Sequence, residues 1–425
     1  MKRIVCVTAL AVLAASAAPA WATNGYQLTG VGQMQNSMGG AVTAAPMDTM
    51  TAISNPAGMA RVGERADFSM EAFMPVRSVS FAPIGGEGTK GGTSLYGIPS
   101  VGWVAKAFGR ENTFFGGGMF VTSGLGVDYG DILFTPDASA LNPLLPAAPV
   151  RFSGYSAIQF WKMAPTVAWN QNDRTSFGVS LNLDYQSVTI QQTFTGAMPI
   201  NMDLGRPTNQ LGLGVTLGAM YDVGDAVTVG VSYASKQSFP DAEYRLQAGD
   251  LDFTGRGGSV MPAGTYKLGL DYPQQAAVGI AVNPSERLLV DLDVKWINWS
   301  DTHDVVKLKG GGGVTPLNFG WDDQMVYALG AQYGVSERLK VRAGLNYGKS
   351  PIGTEDVFNN LVFPAIVEKH AMLGFDYQLG EHWGLGATYM KAFKNTLTNT
   401  DPAFPVPVQI SLAETSVGVL LDYKF

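Results

Sequence analysis

The chain has little cysteine, little histidine and no long apolar run after its start, and each shortage narrows the class of protein. Its 425 residues include one cysteine, Cys6, and three histidines. One cysteine cannot form a disulfide within the chain. After residue 22, no stretch approaches the roughly 18 consecutive apolar residues of a membrane helix. The net charge is −7 and no basic patch stands out, which argues against a nucleic-acid partner.

The first 22 residues have the pattern of a secretory signal peptide. A basic start, MKR, precedes the apolar run IVCVTALAVLAASAA, and the small residues of AWA suit signal peptidase. We expect cleavage near Ala22 and a mature chain that begins near Thr23. Cys6 lies in the apolar run rather than at the cleavage site, which argues against a lipoprotein.

Alternation of apolar with polar or small residues predicts fourteen strands. In TSFGVSLNLDYQ, residues 175–186, apolar side chains fall at every second position from Phe177 to Tyr185. The same period recurs in 287–296, 340–348, 371–379 and 382–390.

Two features favour a membrane barrel over a soluble β-sandwich, which also alternates. Charged residues fall in mid-strand on the row opposite the apolar one, where a solvated lumen accommodates them; examples are Asp291, Asp293 and Arg342. Aromatic residues gather towards strand ends, as in interfacial girdles. These aromatic residues are Trp169, Tyr221, Tyr233, Trp296, Trp299, Tyr333, Trp383 and Tyr423.

The connections alternate between short and long. Short turns contain GREN, QND, DVGD, NPSE, GVSE and LGEH. The long segments lie around 80–93, 124–155, 193–209, 248–263, 300–323, 351–365 and 395–409. This pattern is typical of tight periplasmic turns and long extracellular loops. We predict an all-β fold, a 14-stranded antiparallel transmembrane β-barrel, over residues 65–425, located in the bacterial outer membrane.

The chain ends on SVGVLLDYKF, with an aromatic residue last. In lipid every backbone polar group needs a partner, so this strand should pair with the first strand and close the sheet. A C-terminal aromatic residue on such a strand resembles the assembly signal of outer-membrane barrels. We therefore expect barrel-assembly machinery to recognise Phe425, and the wall to contact outer-membrane lipid and lipopolysaccharide.

Residues 23–64 do not follow the strand pattern. They lack sustained period two and are rich in Gly, Ala, Ser and Met. Their mild hydrophobicity favours a plug, or hatch, inside the lumen over a solvated tail. The methionines of this region either fill gaps against the wall or adapt to varied apolar ligands.

NGYQL at 24–28 and SNPAGMA at 54–60 carry a resemblance to the long-chain fatty acid transporter family (FadL-like), which includes channels for aromatic hydrocarbons. GGGMFVTSGLGVDYG, WINWSD and VRAGLNYGKSPI extend the resemblance through nearly the whole mature chain. It implies a hatch inside the barrel and passive uptake of long-chain fatty acids or aromatic hydrocarbons. It also implies lateral exit through a kink in the third strand. The chain departs from the family where paired acids commonly precede Asn-Pro-Ala, because only Asp48 is present.

The resemblance also implies roles for particular residues. The hatch motif near the wall opening is Asn55, Pro56 and Ala57. The mobile N-terminal end is Gly25, Tyr26 and Gln27. Asn-Pro alone also suits an ordinary turn. Three glycines in the third strand predict a bend that suits lateral opening, or room for hatch packing; they are Gly116, Gly117 and Gly118.

The segment 124–155 is unusually apolar for an exposed loop, which favours a landing site for hydrophobic compounds over packing on neighbouring loops. The capture residues would be Leu133, Phe134, Leu141, Leu144, Leu145 and Phe152. A fatty acid carboxylate would need a cationic or amide partner, and the candidates are Lys162, Arg151 and Arg342. Aromatic hydrocarbons would need none.

Neither catalysis nor cofactor chemistry is indicated. No motif flanks His303, His370 or His382 to suggest a serine-histidine pair, and GGGG at 310–313 has no following Lys-Ser/Thr. We predict no enzyme activity, cofactor or metal site, and nothing demands more than a monomer. Two other functions stay open, a gated porin for polar solutes and an adhesive or structural barrel acting through its loops.

Overall fold

The structure is a computed structural model that describes residues 24–92, 95–135, 148–196, 199–206 and 208–425. The predicted signal peptide lies outside these residues. Among the described residues, no helix is long and apolar enough to cross a membrane.

Fourteen antiparallel strands form a closed barrel, which confirms the predicted fold class. In chain order they are β1 (Arg65–Ser80), β2 (Tyr96–Ala107), β3 (Arg110–Phe134), β4 (Val150–Met163, continued by Thr166–Asn172), β5 (Thr175–Gly196), β6 (Gln210–Gly224), β7 (Val227–Ala234), β8 (Gln275–Ser285), β9 (Leu288–Ile297), β10 (Gln324–Gly334), β11 (Leu339–Gly348), β12 (Lys369–Gln378), β13 (Trp383–Thr398) and β14 (Gln409–Lys424).

The last strand pairs with the first and closes the sheet, as predicted. The β1–β14 register runs without a shift from Arg65 opposite Lys424 to Ser80 opposite Gln409. Phe425 follows with its side chain 61% exposed, and its N–H donates to the Glu64 carbonyl at 3.2 Å. Recognition of Phe425 by assembly machinery stays a prediction.

The two faces of the wall follow the alternation of the sequence. On β9, Leu292 is exposed on the outer face, whereas Asp291 and Asp293 are buried on the lumen side. Arg342 on β11 is likewise buried. The predicted girdle is wrong for Trp299, which is fully buried between the short helix that follows it and the N-terminal segment.

The predicted loop at 124–155 is wrong at both ends, because β3 extends to Phe134 and β4 begins at Val150. Other long connections also contain strands. A second, four-stranded sheet forms from Ala242–Leu246, Gly264–Gly269, Val305–Gly310 and Gly313–Asn318. Short strands at Gly88–Lys90, Ile200–Leu204 and Leu251–Asp252 extend the barrel sheet.

The helical elements are short. They are α1 (Gly32–Ser37), α2 (Thr51–Ser54), α3 (Ser300–His303) and 3₁₀ turns at Pro56–Ala60, Ala82–Ile84, Thr254–Arg256 and Thr354–Asn360.

Candidate transport path

Residues 24–64, here called the N-terminal segment, lie inside the barrel. Because glycine has no side chain, the segment approaches the wall closely at one glycine on each of nine strands. A Cβ added at any of them would collide with the segment or with side chains that contact it; the glycines are Gly102, Gly178, Gly218, Gly230, Gly279, Gly330, Gly344, Gly374 and Gly386. The segment therefore lies close to glycines on nine of the fourteen strands.

Buried polar contacts fix this segment to the wall. Asp293 Oδ2 accepts the N–H groups of Val42 at 3.0 Å and Thr43 at 2.9 Å. Asp67 Oδ2 accepts the Thr49 N–H at 2.8 Å, and Arg65 binds Asp67 while donating to the Met47 carbonyl. These contacts hold the middle of the segment to β1 and β9.

Asp48 is the one acid that the sequence offers before the Asn-Pro-Ala motif. It is buried, and its Oδ1 accepts the Met50 N–H at 3.1 Å. Burial, and then the neighbouring Asp67, raise the pKa of Asp48 to about 7. This carboxyl therefore titrates near neutral pH.

Asn55 both caps a 3₁₀ turn and bridges the segment to the wall. Its Oδ1 accepts the Ala57 N–H at 3.2 Å. Its Nδ2 donates to the Thr43 carbonyl at 2.7 Å and to the Ala219 carbonyl of β6 at 3.3 Å. Pro56 packs against Gly178 and Gly218. The motif is thus an ordered turn between the segment and strands β5 and β6.

The glycine run of β3 contains one residue with an unusual backbone conformation. Gly117 has φ +131°, a conformation that favours glycine, and a Cβ there would meet the backbone at Ala164. At the same height β4 is interrupted between Met163 and Thr166, and the Ala164 N–H donates to the Gly118 carbonyl at 3.1 Å. The run also leaves room for packing, because Met59 contacts Gly116.

Pairing between β2 and β3 stops a few residues beyond the glycine run. The β2–β3 ladder stops at Ser100 opposite Phe120, so residues 96–99 of β2 have no ladder partner on β3. The β3–β4 register shifts between Val121 and Ser123. The place where β2–β3 pairing ends is here called the break. A cavity of about 390 Å³ lies there, and its lining consists of Tyr96–Ile98, most of 121–127 and 155–161.

The N-terminal end is hydrogen-bonded to β3 at the same place. Gln27 forms a bridge with Ser123, flanked by Leu28 N–H to Thr122 carbonyl at 3.0 Å and Gly124 N–H to Tyr26 carbonyl at 3.2 Å. The Gln27 amide also donates to Gln275 at 3.0 Å. Movement of this end therefore changes the edge of the break.

Tyr26 is held in an aromatic cluster. Its side chain is 3% exposed, and its hydroxyl lies 2.9 Å from His303 Nε2. Four rings lie within 6 Å of it, those of Tyr272, Trp299, His303 and Trp321. Gly25 adopts φ +67° against the Trp299 indole, where a Cβ would clash.

Burial controls the protonation of this cluster. It lowers the pKa of His303 to about 3, so the ring is neutral at pH 7. Burial, and then Tyr272, raise the pKa of Tyr26 well above its ordinary value. Tyr26 and His303 are therefore both uncharged across the physiological range.

The predicted capture residues separate into two groups. Leu133 is 64% exposed, but Phe134 is 8% exposed and Phe152 is fully buried. These two phenylalanines pack on Phe81, whose ring lies 4.8 Å from that of Phe134 and 5.1 Å from that of Phe152. Leu141, Leu144 and Leu145 lie outside the described residues.

Phenylalanines extend this packing into a column that sequence reasoning did not identify. Ring separations are 4.8 Å for Phe152–Phe194, 5.7 Å for Phe194–Phe358 and 4.3 Å for Phe358–Phe404. Arg256 lies 5.1 Å from the Phe404 ring at the loop end of the column. The contributing residues come from the ends of β3, β4 and β5 and from connections far apart in the sequence, so no local pattern signals the column.

Of the three candidate cations, only Lys162 lies in the apolar region. It is buried, 5.9 Å from the Phe160 ring, and 3.4 Å from Asp184. It lines a cavity of about 80 Å³ that also contacts Gln27. Arg151 is exposed and paired with Asp131, and Arg342 is paired with Asp376 and Gln332.

Each of the three histidines contacts a different set of residues. His303 contacts Tyr26 and Thr302, His370 lies 3.6 Å from Glu414, and His382 contacts the Lys424 carbonyl. Among the described residues, no group of three or more His, Cys, Asp or Glu side chains could hold a metal ion.

Comparison with known proteins identifies the family. Residues 8–421 match the model described as "Outer membrane protein transport protein (OMPP1/FadL/TodX)". The 47 kDa outer membrane protein of Pasteurella multocida is 24% identical over 263 residues, 58% of each chain. A putative outer membrane protein of Neisseria meningitidis serogroup B is 25% identical over 199 residues, 42% of this chain and 41% of that protein. The chain spans about half the length of these curated relatives.

Solved structures share the fold. The toluene transporter TodX of Pseudomonas putida is 19% identical with TM-score 0.69, over 93% of this chain and 99% of that chain. A FadL homologue of Pseudomonas aeruginosa is 17% identical with TM-score 0.72, over 94% and 100%. The toluene transporter TbuX of Ralstonia pickettii is 17% identical with TM-score 0.67, over 93% and 99%. The chain belongs to the OMPP1/FadL/TodX family of outer membrane transport proteins.

Proposed function

We propose that the protein is a passive uptake channel for hydrophobic compounds, either long-chain fatty acids or aromatic hydrocarbons. One observation supports this most: the cavity at the break between β2 and β3 is lined by Val127, Ile158 and Phe160, which belong to the same buried apolar cluster as the phenylalanine column. Apolar solutes gain nothing from a water-filled pore, whereas a chain of apolar contacts gives them a favourable path.

Entry begins at the loops. Leu133, whose side chain is 64% exposed, would take up cargo first. Leu141, Leu144 and Leu145 remain candidates for the same role from the sequence alone. Phe134 and Phe152 act below it, as the upper part of the aromatic column rather than as exposed capture groups. Aromatic and aliphatic side chains bind apolar cargo without the desolvation penalty that buried polar groups impose.

Gating belongs to Gly25, Tyr26 and Gln27. The contacts at Asn55, Pro56 and Ala57, together with those of Asp67 and Asp293, hold the rest of the segment in place. Withdrawal of Tyr26 from its aromatic cluster joins the column to the cavity. The same movement frees residues 122–124 of β3.

Exit is lateral, through the wall between β2 and β3. β3 stays paired with β2 through Gly116, Gly117 and Gly118 and leaves it beyond Phe120, so residues 96–99, which have no ladder partner on β3, would border the opening. Cargo leaving here enters the hydrocarbon of the membrane and does not cross the plugged lumen. A gated porin for polar solutes is less well supported, because the path is apolar.

The cargo class depends on Lys162. A fatty acid that lies along the column would place its carboxylate at this ammonium, in competition with Asp184. Aromatic hydrocarbons would use the column alone, and two structural relatives are described as toluene transporters.

Photo-crosslinking tests the path. Purified protein would be irradiated with a diazirine-labelled fatty acid or a diazirine-labelled toluene, and labelled peptides identified by mass spectrometry. We expect labels at 121–127 and 155–161, removed by excess unlabelled oleate or toluene and retained with excess sucrose. Labels confined to the outer wall, or removed by sucrose, would contradict the proposal.

A further inference from the structure

Four lysines meet on the lipid-facing wall at the long-loop end of β11–β13. They are Lys349, Lys369, Lys391 and Lys394, here called the outer-rim lysine cluster. Lys369 and Lys391 lie on the outward rows of their strands, the rows that expose Leu373 and Tyr389. The cluster therefore faces the membrane rather than the lumen.

The strand register brings these lysines together. Ala371 pairs with Lys391, so Lys369 and Lys391 are diagonal neighbours on adjacent strands, a separation of about 7–8 Å. Lys349 directly follows β11 and is exposed. Lys394 lies at the register shift between Ala392 and Asn395, which turns it outward.

The cluster lies at the level of the outer-leaflet headgroups. Eight residues separate Lys369 from Tyr377, which lies beside the short turn at the other end of β12. At a rise of about 3.4 Å per residue and a tilt near 40°, they span about 20 Å of the membrane. That distance is close to the height of the apolar band of a barrel, so the two residues mark opposite interfaces.

Aromatic side chains frame the cluster as an interfacial girdle does. Tyr347 pairs with Lys369, and its ring stacks on that of Tyr327 at 6.3 Å. Phe393 is exposed between Lys391 and Lys394. Tyrosine and phenylalanine at this depth pack on acyl chains and leave the ammonium groups at the polar boundary.

Three of the four lysines have no acidic partner in the part of the chain that the structure describes. Among the described residues, no salt bridge joins Lys349, Lys391 or Lys394 to a carboxylate. The nearby Glu368 accepts the Ser350 N–H at 3.0 Å. Lys391 Nζ donates to Thr415 Oγ1 at 2.9 Å, which positions its ammonium on the wall. The patch is therefore cationic and directed towards lipid, with Lys349, Lys391 and Lys394 not paired with carboxylates among the described residues.

We propose that the outer-rim lysine cluster binds the phosphate groups of lipopolysaccharide, the anionic lipid of the leaflet in which it lies. Ammonium groups bind phosphate oxygens as charge-assisted hydrogen bonds. The phosphates of one lipid would bridge Lys369 and Lys391, and its acyl chains would lie along the outward apolar rows of β12 and β13. This site is on the outer wall and independent of the cargo path.

Titration with fluorescent lipopolysaccharide in detergent tests the proposal. The quadruple variant K349S/K369S/K391S/K394S removes the cluster. The matched control K106S/R110S/R287S/R338S removes four exposed cations at the short-turn end with the same change in charge. Heat-modifiable gel mobility would show that each barrel is folded.

We expect the cluster variant to lose affinity by about 30-fold or more, and the control by less than about threefold. Lipopolysaccharide stripped of its phosphates should bind wild-type protein as weakly as intact lipid binds the cluster variant. This second arm needs no variant to fold. Equal binding of intact and dephosphorylated lipid would overturn the proposal. So would equal competition by phosphatidylglycerol, since that would show general attraction for anionic lipid.

Discussion

A disulfide between the N-terminal end and β3 should close the path. Gln27 and Ser123 form a bridge pair flanked by two backbone hydrogen bonds, an arrangement in which Cα atoms lie about 4.5 Å apart. Disulfides form across Cα separations of about 4.4–6.8 Å. The expected mature chain has no cysteine to compete. The double variant Gln27→Cys/Ser123→Cys should therefore oxidise without rearrangement.

The contacts of Tyr26 give the size of the effect. Burial of a tyrosine removes about 150–250 Å² from water, which at about 25 cal/mol per Å² stabilises the closed state by ~4–6 kcal/mol. Two backbone hydrogen bonds and the Tyr26–His303 contact add ~1 kcal/mol each. Opening without ligand thus costs ~7–9 kcal/mol, and cargo must offset most of it. A covalent bond between residues 27 and 123 prevents this opening, so cargo binding can no longer drive it.

The assay is uptake of labelled oleate and toluene by cells that carry the oxidised double variant. We expect uptake at least about tenfold slower than wild type, with recovery after reduction. Gln27→Cys alone and Ser123→Cys alone are matched controls, and the latter accounts for the lost 2.6 Å contact with the Tyr272 hydroxyl. Wild-type uptake by protein whose cross-link is verified by mass spectrometry would refute the gating role of this end.

Three further changes test other parts of the account. Asn55→Ala removes a cap, one contact with Thr43 inside the segment and one wall contact, so it should destabilise the segment by ~1–2 kcal/mol, speed its proteolysis and slow uptake, with barrel gel mobility unchanged; unchanged uptake would remove Asn55 from the mechanism. Lys162→Met should slow oleate uptake about tenfold and leave toluene uptake unchanged, whereas equal effects on both would exclude a carboxylate role. Because the pKa of Asp48 is raised to about 7, its contribution to stability is complete below about pH 4 and is lost as pH rises through 7. Asp48→Asn should therefore stabilise the folded segment 24–64 by up to ~4 kcal/mol at pH 8.5 but not at pH 4, and proteolysis of the segment should slow only at pH 8.5. Equal slowing at both pH values would contradict the raised pKa of Asp48.

The barrel could be predicted because lipid imposes a simple rule on the outer face. Every second residue there must be apolar, as Leu292 and its neighbours are, whatever lies inside. Closure followed from the need to pair the last strand. The resemblance supplied the hatch motif; Asn55 lies in a turn beside the wall, and its role in transport stays a prediction.

The upper part of the path could not be predicted for a physical reason. β3 shifts register twice against β4, at Val121/Ser123 and at Tyr129/Ile132, and each bulge changes which residues face inward. The period of two is lost, so residues 124–134 resemble a loop. Phe134 and Phe152 consequently seemed exposed, although long-range contacts bury them.

The aromatic cluster round Tyr26 was missed for a different reason. Trp299 has the sequence spacing of a girdle residue. It lies beside Tyr26 because α3 turns the chain inward after β9. The lumen glycines also have no sequence signal of their own. Their role depends on a segment more than a hundred residues away in most cases.

Uptake of labelled oleate, toluene and a sugar, by outer-membrane-competent cells with and without the protein, tests the central claim most directly. The account predicts faster entry of oleate or toluene and no change for the sugar. Faster sugar entry alone would contradict it and indicate a gated porin, and no change for any solute would contradict a channel function.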